Sequence, residues 1–176
     1  MEHRHDQIKE PSEWVVCWVS RIPKQGRLLD VACGAGRHTR YLAQLGYRVE
    51  AVDIDLSKLG DGAAFANVNA RQYDLENAVW PYARDEFDGI VVTNYLHRPL
   101  FAPLQDSLRP GGVLIYETFA QGNEKYGRPR NPDHLLRPGE LLDAVRGRMR
   151  VVAYQDVSVE RPAPALVQRI CAVDTR

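Results

Sequence analysis

The sequence predicts an α/β domain built on a mostly parallel sheet, and three observations predict it. Apolar runs at Leu28–Asp30, Tyr47–Asp53 and Phe87–Thr93 each end in a polar residue and give way to a turn or a helical stretch. That alternation is expected of parallel strands joined by crossovers. The first run leads through Val31-Ala32-Cys33-Gly34-Ala35-Gly36 straight into a helical stretch from Arg37. Two alternating segments, Met149–Val159 and Ala165–Val173, close the chain around Arg161-Pro162-Ala163-Pro164 and read as an antiparallel hairpin.

The elements follow in order. Pro11-Ser12 is a helix start, and the helix is expected to run to about Arg21. Its run from Trp14 to Val19 is apolar nearly all round, which predicts burial against the sheet or a partner chain. Strand one ends near Asp30. The next helix spans about Arg37 to Leu45 and stops at Gly46. Strand two closes at Asp53, and the helix after it is weak because Gly60 and Gly62 fall within it. Strands three, four and five end near Tyr73, Thr93 and Thr118, and Pro99 opens the helix between the last two. Residues 120–137 are rich in Gly, Pro and Asn and form a long insertion. A structureless loop of that length tends to be functional, so it is expected to act as a lid. Pro138 to Arg146 reads as a helix closed by Gly147. Residues 1–10 are polar and read as a loose tail, and residues 1–176 are expected to form a single domain.

Gly34 and Gly36 allow a sharp turn and a close approach of backbone to ligand. The turn delivers free N–H groups at a helix N-terminus, which suits an anionic or polar ligand. Asp53, closing strand two, is placed to accept from ribose hydroxyls. These features point to a nucleoside-containing cofactor at the C-terminal edge of the sheet. The nicotinamide fingerprint needs a third glycine where this chain has Thr39, and no phosphate-loop Gly-Lys-Ser/Thr is present. An acid at position 30 would repel a pyrophosphate but suits a cationic ligand.

Leu28 to Gly36 resembles the first motif of class I S-adenosylmethionine-dependent methyltransferases. Asp53, the stretch Asn69–Leu75, the stretch Glu86–His97 and the turn Ser107–Glu117 resemble their later motifs. The resemblance implies a Rossmann-like, mostly parallel seven-stranded sheet with a C-terminal antiparallel hairpin and helices on both faces. It implies S-adenosyl-L-methionine as cofactor, with S-adenosyl-L-homocysteine as product. Asp30, Ala32, Cys33, Gly34, Gly36 and Arg37 would line its methionine end, and Arg37 or His38 would hold the carboxylate. Asp53 would meet the ribose and Asp74 the adenine, with Ile54, Tyr73 and Leu75 beside them in the cofactor site. Asn94 and Tyr95 would line the site at the end of strand four. Ala32 stands where the family often has glycine, a departure that still permits close approach. Residues from Tyr126 to Leu141 further resemble small bacterial methyltransferases of the tellurite-resistance group.

Methyl transfer from a sulfonium needs positioning more than acid–base chemistry. Tyr95, His97 and Glu117 are the candidate catalytic groups at the sheet edge. Cys33 reads as a small residue filling the turn. Lys125, Arg128, Arg130 and Arg137, with Tyr126 and His134, would let the insertion bind an anionic acceptor. Charge balances at 23 basic and 23 acidic residues, so no global field draws nucleic acid or membrane. Cys17, Cys33 and Cys171 have no metal-ligand or disulfide spacing. The expectation is a cytoplasmic enzyme with a small-molecule acceptor and no metal. The apolar first helix leaves room for a homodimer, or for a cofactor-binding module without catalysis. A nicotinamide oxidoreductase is the weaker alternative.

Overall fold

A computed structural model describes residues 10–176. All but the last residue of the expected tail, 1–10, therefore lies outside the described residues. Seven strands form one sheet: β1 (Arg27–Val31), β2 (Arg48–Asp53), β3 (Val68–Gln72), β4 (Phe87–Thr93), β5 (Leu108–Phe119), β6 (Met149–Val159) and β7 (Ala165–Asp174). Their order is β3-β2-β1-β4-β5-β7-β6. The first five run parallel, and β7 is antiparallel to both β5 and β6. Four helices accompany them: α1 (Glu13–Trp18), α2 (Arg37–Gln44), α3 (Phe101–Ser107) and α4 (Glu140–Val145). None is long and apolar enough to cross a membrane.

Successive residues of the central strands serve opposite faces, as the pleat requires. On one face Leu28, Val91 and Ile115 pack with Trp14 and Val15 of α1 and Leu42 and Ala43 of α2. On the other, Leu29, Ile90 and Leu114 pack with Leu104 of α3 and Leu141 and Val145 of α4. Helices thus cover both faces, which is why the strands read as continuous apolar runs.

Several elements differ from their expected form. The first helix buries Trp14, Val15 and Val19 but exposes Cys17 and leaves Val16 45% accessible, so only one stripe is covered. Its last turn is a 3₁₀ turn over Val19–Arg21. Ser12 caps it, accepting from the Trp14 N–H at 3.1 Å. Between β2 and β3 only 3₁₀ turns form, at Leu56–Lys58 and Gly60–Ala64, as the two glycines imply. The insertion is not structureless. It carries 3₁₀ turns at Asn123–Lys125 and Pro132–His134, and its ends meet in a bridge between Ala120 and Leu136.

Gly89 shows how tightly the first segment seats on the sheet. A Cβ there would collide with Cδ1 of Ile22, which is buried on β4. Overpacking of this kind costs about 1–3 kcal/mol. Gly89→Ala should therefore lower the urea midpoint with an unchanged m value. A midpoint equal to wild type would show that Ile22 moves aside freely.

Candidate functional site

The crossover after β1 leads one way, to β2, while β4 lies on the other side of β1. A crevice opens outside the carboxyl ends of strands at such a switch point. Here it is a cleft of about 460 Å³. One wall is the turn Ala32–Ala35 with Arg37 and His38 at the start of α2. Another is Thr93–Leu96 after β4, with Glu76 nearby, and the rim is Thr118, Phe119, Arg128, Pro129 and His134.

The turn is held from two sides. Asp53 accepts the Gly34 N–H on Oδ2 at 2.8 Å and the Asp55 N–H on Oδ1 at 3.0 Å. Gly34 has φ +53° and nothing within 4 Å of where a Cβ would stand, so it faces open space. Gly36, at φ +72°, does not line the cleft; a Cβ there would strike Leu59 Cδ1. Its absent side chain serves packing. Ala32 sits at φ +52°, a left-handed conformation that costs an L-residue about 1–2 kcal/mol. The expected mild departure from glycine is thus a strained one.

Asp30 is not at the cleft surface. It is 1% exposed and accepts from the Thr39 hydroxyl at 2.6 Å, capping α2 from beneath. Burial pushes its carboxyl up to about 6, against the bonds from Thr39 and the charge of Arg37. Cys33 lines the cleft, but burial and the carboxylates of Asp30 and Asp53 push its thiol far up, so it is no nucleophile.

His38 is buried and bonded on both ring nitrogens. Its Nε2 accepts from the Ser12 N–H at 3.0 Å, and Nδ1 lies 3.2 Å from Thr93 Oγ1. Burial and the neighbouring Arg37 push its pKa down to about 3. Arg37 itself is half-buried, and among the described residues no carboxylate lies within 4 Å of it. Burial lowers its pKa, while Glu117 and Asp30 oppose that.

The Tyr95 hydroxyl is buried without a hydrogen-bond partner. Burial and then Glu76 push its pKa up. Tyr95 is pinned at its carbonyl, which accepts from Tyr116 Oη at 2.8 Å. Asn94 turns the chain here at φ +55°, a conformation asparagine tolerates.

The remaining expected residues fall beside the cleft rather than on it. Ile54 follows Asp53 and is 61% exposed, high for an isoleucine beside a binding edge. Tyr73 donates to the Val79 carbonyl, and Leu75 is core. Asp74 spends its carboxylate on its own turn, accepting the N–H groups of Glu76 and Asn77 and the Asn77 amide. His97 begins the 3₁₀ turn Arg98–Leu100 and does not line the cleft. Glu117 faces the α1 side, accepting from Ser12 Oγ at 2.7 Å and pairing with Arg169 at 3.1 Å. Glu76, Thr93 and Thr118 were not expected. Thr93 ends β4 and Thr118 is the last residue but one of β5, positions that a threonine without a binding role shares.

The insertion arches over the rim. Arg98 anchors it with bonds to the carbonyls of Asp133 and Leu135 and a bidentate pair to Glu140. Burial works against the Glu140 charge, yet bonds from Arg98 and Arg137 hold its carboxyl at about 2.

Residues 28–112 match the model of the methyltransferase domain family. Over that stretch, just under half of the chain, the sequence is similar to a methyltransferase domain. A malonyl-[acyl-carrier protein] O-methyltransferase of Serratia marcescens is 28% identical over 156 residues, 85% of this chain and 56% of that protein. The chain spans about half or less of the length of the first curated relatives it matches. A Burkholderia thailandensis 1,6-didemethyltoxoflavin-N1-methyltransferase, solved with S-adenosylhomocysteine bound, superposes with a TM-score of 0.71 at 21% identity, covering 93% of this chain and 77% of that one. TehB from Haemophilus influenzae superposes at 0.72 with 18% identity, covering 90% and 61%. Likeness at that level shows the fold alone, so the narrower resemblance to the tellurite-resistance group is not supported.

His38 gives this domain a specific pH signature. A histidine with a depressed folded pKa contributes stability above its unfolded value near 6.5 and loses it as pH falls toward about 3. Between pH 6.5 and 5 the loss should reach about 2 kcal/mol. His38→Gln should remove that part of the slope in urea titrations at pH 7 and pH 5. Identical slopes in the two proteins would show that His38 titrates normally.

Proposed function

We propose that the chain transfers the methyl group of S-adenosylmethionine to a small-molecule acceptor carrying an anionic group. The observation that carries the reading is continuity. One cleft joins the Gly34 turn, where a cofactor belongs, to Arg128 and His134, which belong to the arch. The 1,6-didemethyltoxoflavin-N1-methyltransferase neighbour, solved with 1,6-didemethyltoxoflavin bound, supports a small acceptor.

The residues present fit the cofactor. Ala32, Cys33 and Gly34 offer an open backbone edge to the methionine chain, with Arg37 beside it. Asp53 keeps lone pairs beyond those given to Gly34 and Asp55, enough for two ribose hydroxyls. Ile54, largely exposed, offers an apolar face for the adenine, and Tyr73 to Leu75 close its far edge. The Tyr95 hydroxyl lies beside Glu76 on the cleft, placed to meet a ligand. When bound, the cofactor supplies an electrophilic methyl on a cationic sulfur. The chain's task is to align the acceptor for in-line displacement and to keep water out. Tyr95 is the group proposed to touch the acceptor, and the arch is the part proposed to cover it.

Calorimetry with S-adenosylhomocysteine and NAD tests the cofactor side. Asp53→Ala should lose about 1.5–3 kcal/mol of S-adenosylhomocysteine affinity in a folded protein. Unchanged affinity would remove the ribose assignment, and preferential NAD binding would remove the whole reading.

A panel of carboxylate acceptors, each matched with its amide, tests the acceptor side. Turnover should favour the acids. Arg128→Glu should cut it about tenfold or more, with S-adenosylhomocysteine affinity held. Equal loss of both would assign Arg128 to the cofactor.

A further inference from the structure

Thr93 ends β4 one residue beyond the Val31–Val92 pair, level with the start of the glycine turn on the neighbouring strand. Its side chain lines the cleft. The 3.2 Å contact between Thr93 Oγ1 and His38 Nδ1 can be made in either direction. The choice is forced from the far side of the imidazole. There the backbone N–H of Ser12 points at Nε2 from 3.0 Å. A backbone N–H only donates, so Nε2 must present its lone pair. A neutral ring with Nε2 bare carries its proton on Nδ1. Nδ1–H therefore donates to Thr93 Oγ1, and the threonine cannot donate back.

The hydroxyl hydrogen of Thr93 is thereby left for another partner. Among the described residues no acceptor takes it. Arg37, adjacent to His38 in sequence, lines the same cleft. Apart from a 3.4 Å bond to the Glu10 carbonyl, its guanidinium has no acceptor among the described residues. A half-buried cation and a hydroxyl with a committed donor direction, both on one cleft, match a carboxylate.

We propose that the Ser12 backbone, by fixing the tautomer of His38, commits the Thr93 hydroxyl to donate to the carboxylate at the methionine end of the cofactor. Thr93 is then a binding residue, and His38 and Ser12 are positioning residues that act through it. The assignment rests on the cofactor reading above, and it adds what that reading lacks. A neutral threonine discriminates the amino-acid end of the ligand, and a main-chain N–H 81 residues upstream sets its polarity. The coupling also makes the cleft sensitive to the seating of α1. Ser12 caps that helix and is tied through its hydroxyl to Glu117.

Two measurements test it. In wild-type protein, ¹⁵N NMR of the labelled imidazoles should show His38 protonated on Nδ1 and bare on Nε2. The opposite tautomer overturns the inference whatever any variant does. Calorimetry then compares S-adenosylhomocysteine with 5′-methylthioadenosine, which keeps the adenosine and the sulfur but has no carboxylate. Thr93→Val should weaken S-adenosylhomocysteine about ten- to hundredfold, the range of a hydrogen bond to a charged group. It should leave methylthioadenosine within about threefold, and Thr93→Ser should restore most of the difference. A purely structural role would weaken both compounds alike, and that result overturns the assignment, as does a Val variant that binds both like wild type. If wild-type protein binds neither compound, the cofactor reading itself fails, an outcome distinct from a failure of Thr93 alone.

Discussion

A buried carboxylate sets the frame of the site. Asp30 lies buried at the end of β1, before the glycine turn, and it holds α2 to β1 through Thr39. Burial raises its pKa from 3.8 to about 6, so the charged form is disfavoured by roughly 3 kcal/mol. The first turn of α2 and the charge of Arg37 do not fully offset the lost hydration. What the arrangement supplies is direction. With Thr39 fixed, Arg37 and His38, two and one positions before it, have no choice of face, and both arrive at the cleft. His38 in turn fixes Ser12 on one side and meets Thr93 on the other. The rest of that wall of the cleft follows from where α2 begins.

Asp30 and His38 also oppose one another in pH. Asp30, with a raised folded pKa, contributes stability that is full below its unfolded value near 4 and is lost as pH rises through about 6. His38 contributes stability above its unfolded value and loses it on acidification. Between about pH 4 and 6 the two slopes carry opposite signs. A shallow overall pH dependence in that window would therefore conceal two steep ones, and only single variants separate them.

The sheet was legible in the sequence because its central strands are buried on both faces. Leu28, Leu29, Val91, Val92 and Ile115 read as apolar runs, while the weak helix expected across Gly60 and Gly62 shrinks to two 3₁₀ turns. The ends of the strands were harder. A motif places an acid at position 30 but does not say which way its carboxylate turns, and here Thr39 outcompetes the cleft. The resemblance assigns Asp74 to the adenine, and in the structure its own turn takes most of its lone pairs. The apolar run of α1 overstated its burial, because a six-residue helix covers one stripe and leaves Val16 and Cys17 outside. Glu76, Thr93 and Thr118 went unremarked because nothing local distinguishes a binding threonine from a strand-ending one. Their significance arises only when β4, β5 and the loop after β3 meet at one edge.

The arch over residues 120–137 had the composition of a loose loop, and the structure shows why composition misled. Its prolines and glycines sit at turns, while its fastening comes from outside it. Arg98 spends its whole guanidinium on the Asp133 and Leu135 carbonyls and on Glu140. Asn123 is buried and accepts the Leu166 N–H. One foot is thus tied to β7, and the other to Arg98 in the 3₁₀ turn before α3 and to Glu140 of α4. The charged side chains split accordingly. Glu140 and Arg98 neutralise each other at the base, and Lys125 rests over the Tyr126 ring. Arg128 remains at the cleft with no ion pair within 4 Å among the described residues. A cation held near a cleft by anchors elsewhere loses less freedom on binding than one on a free loop. Any closing movement is then confined to the span between the feet, so Arg128 can adjust to a ligand while the frame that carries it stays in place.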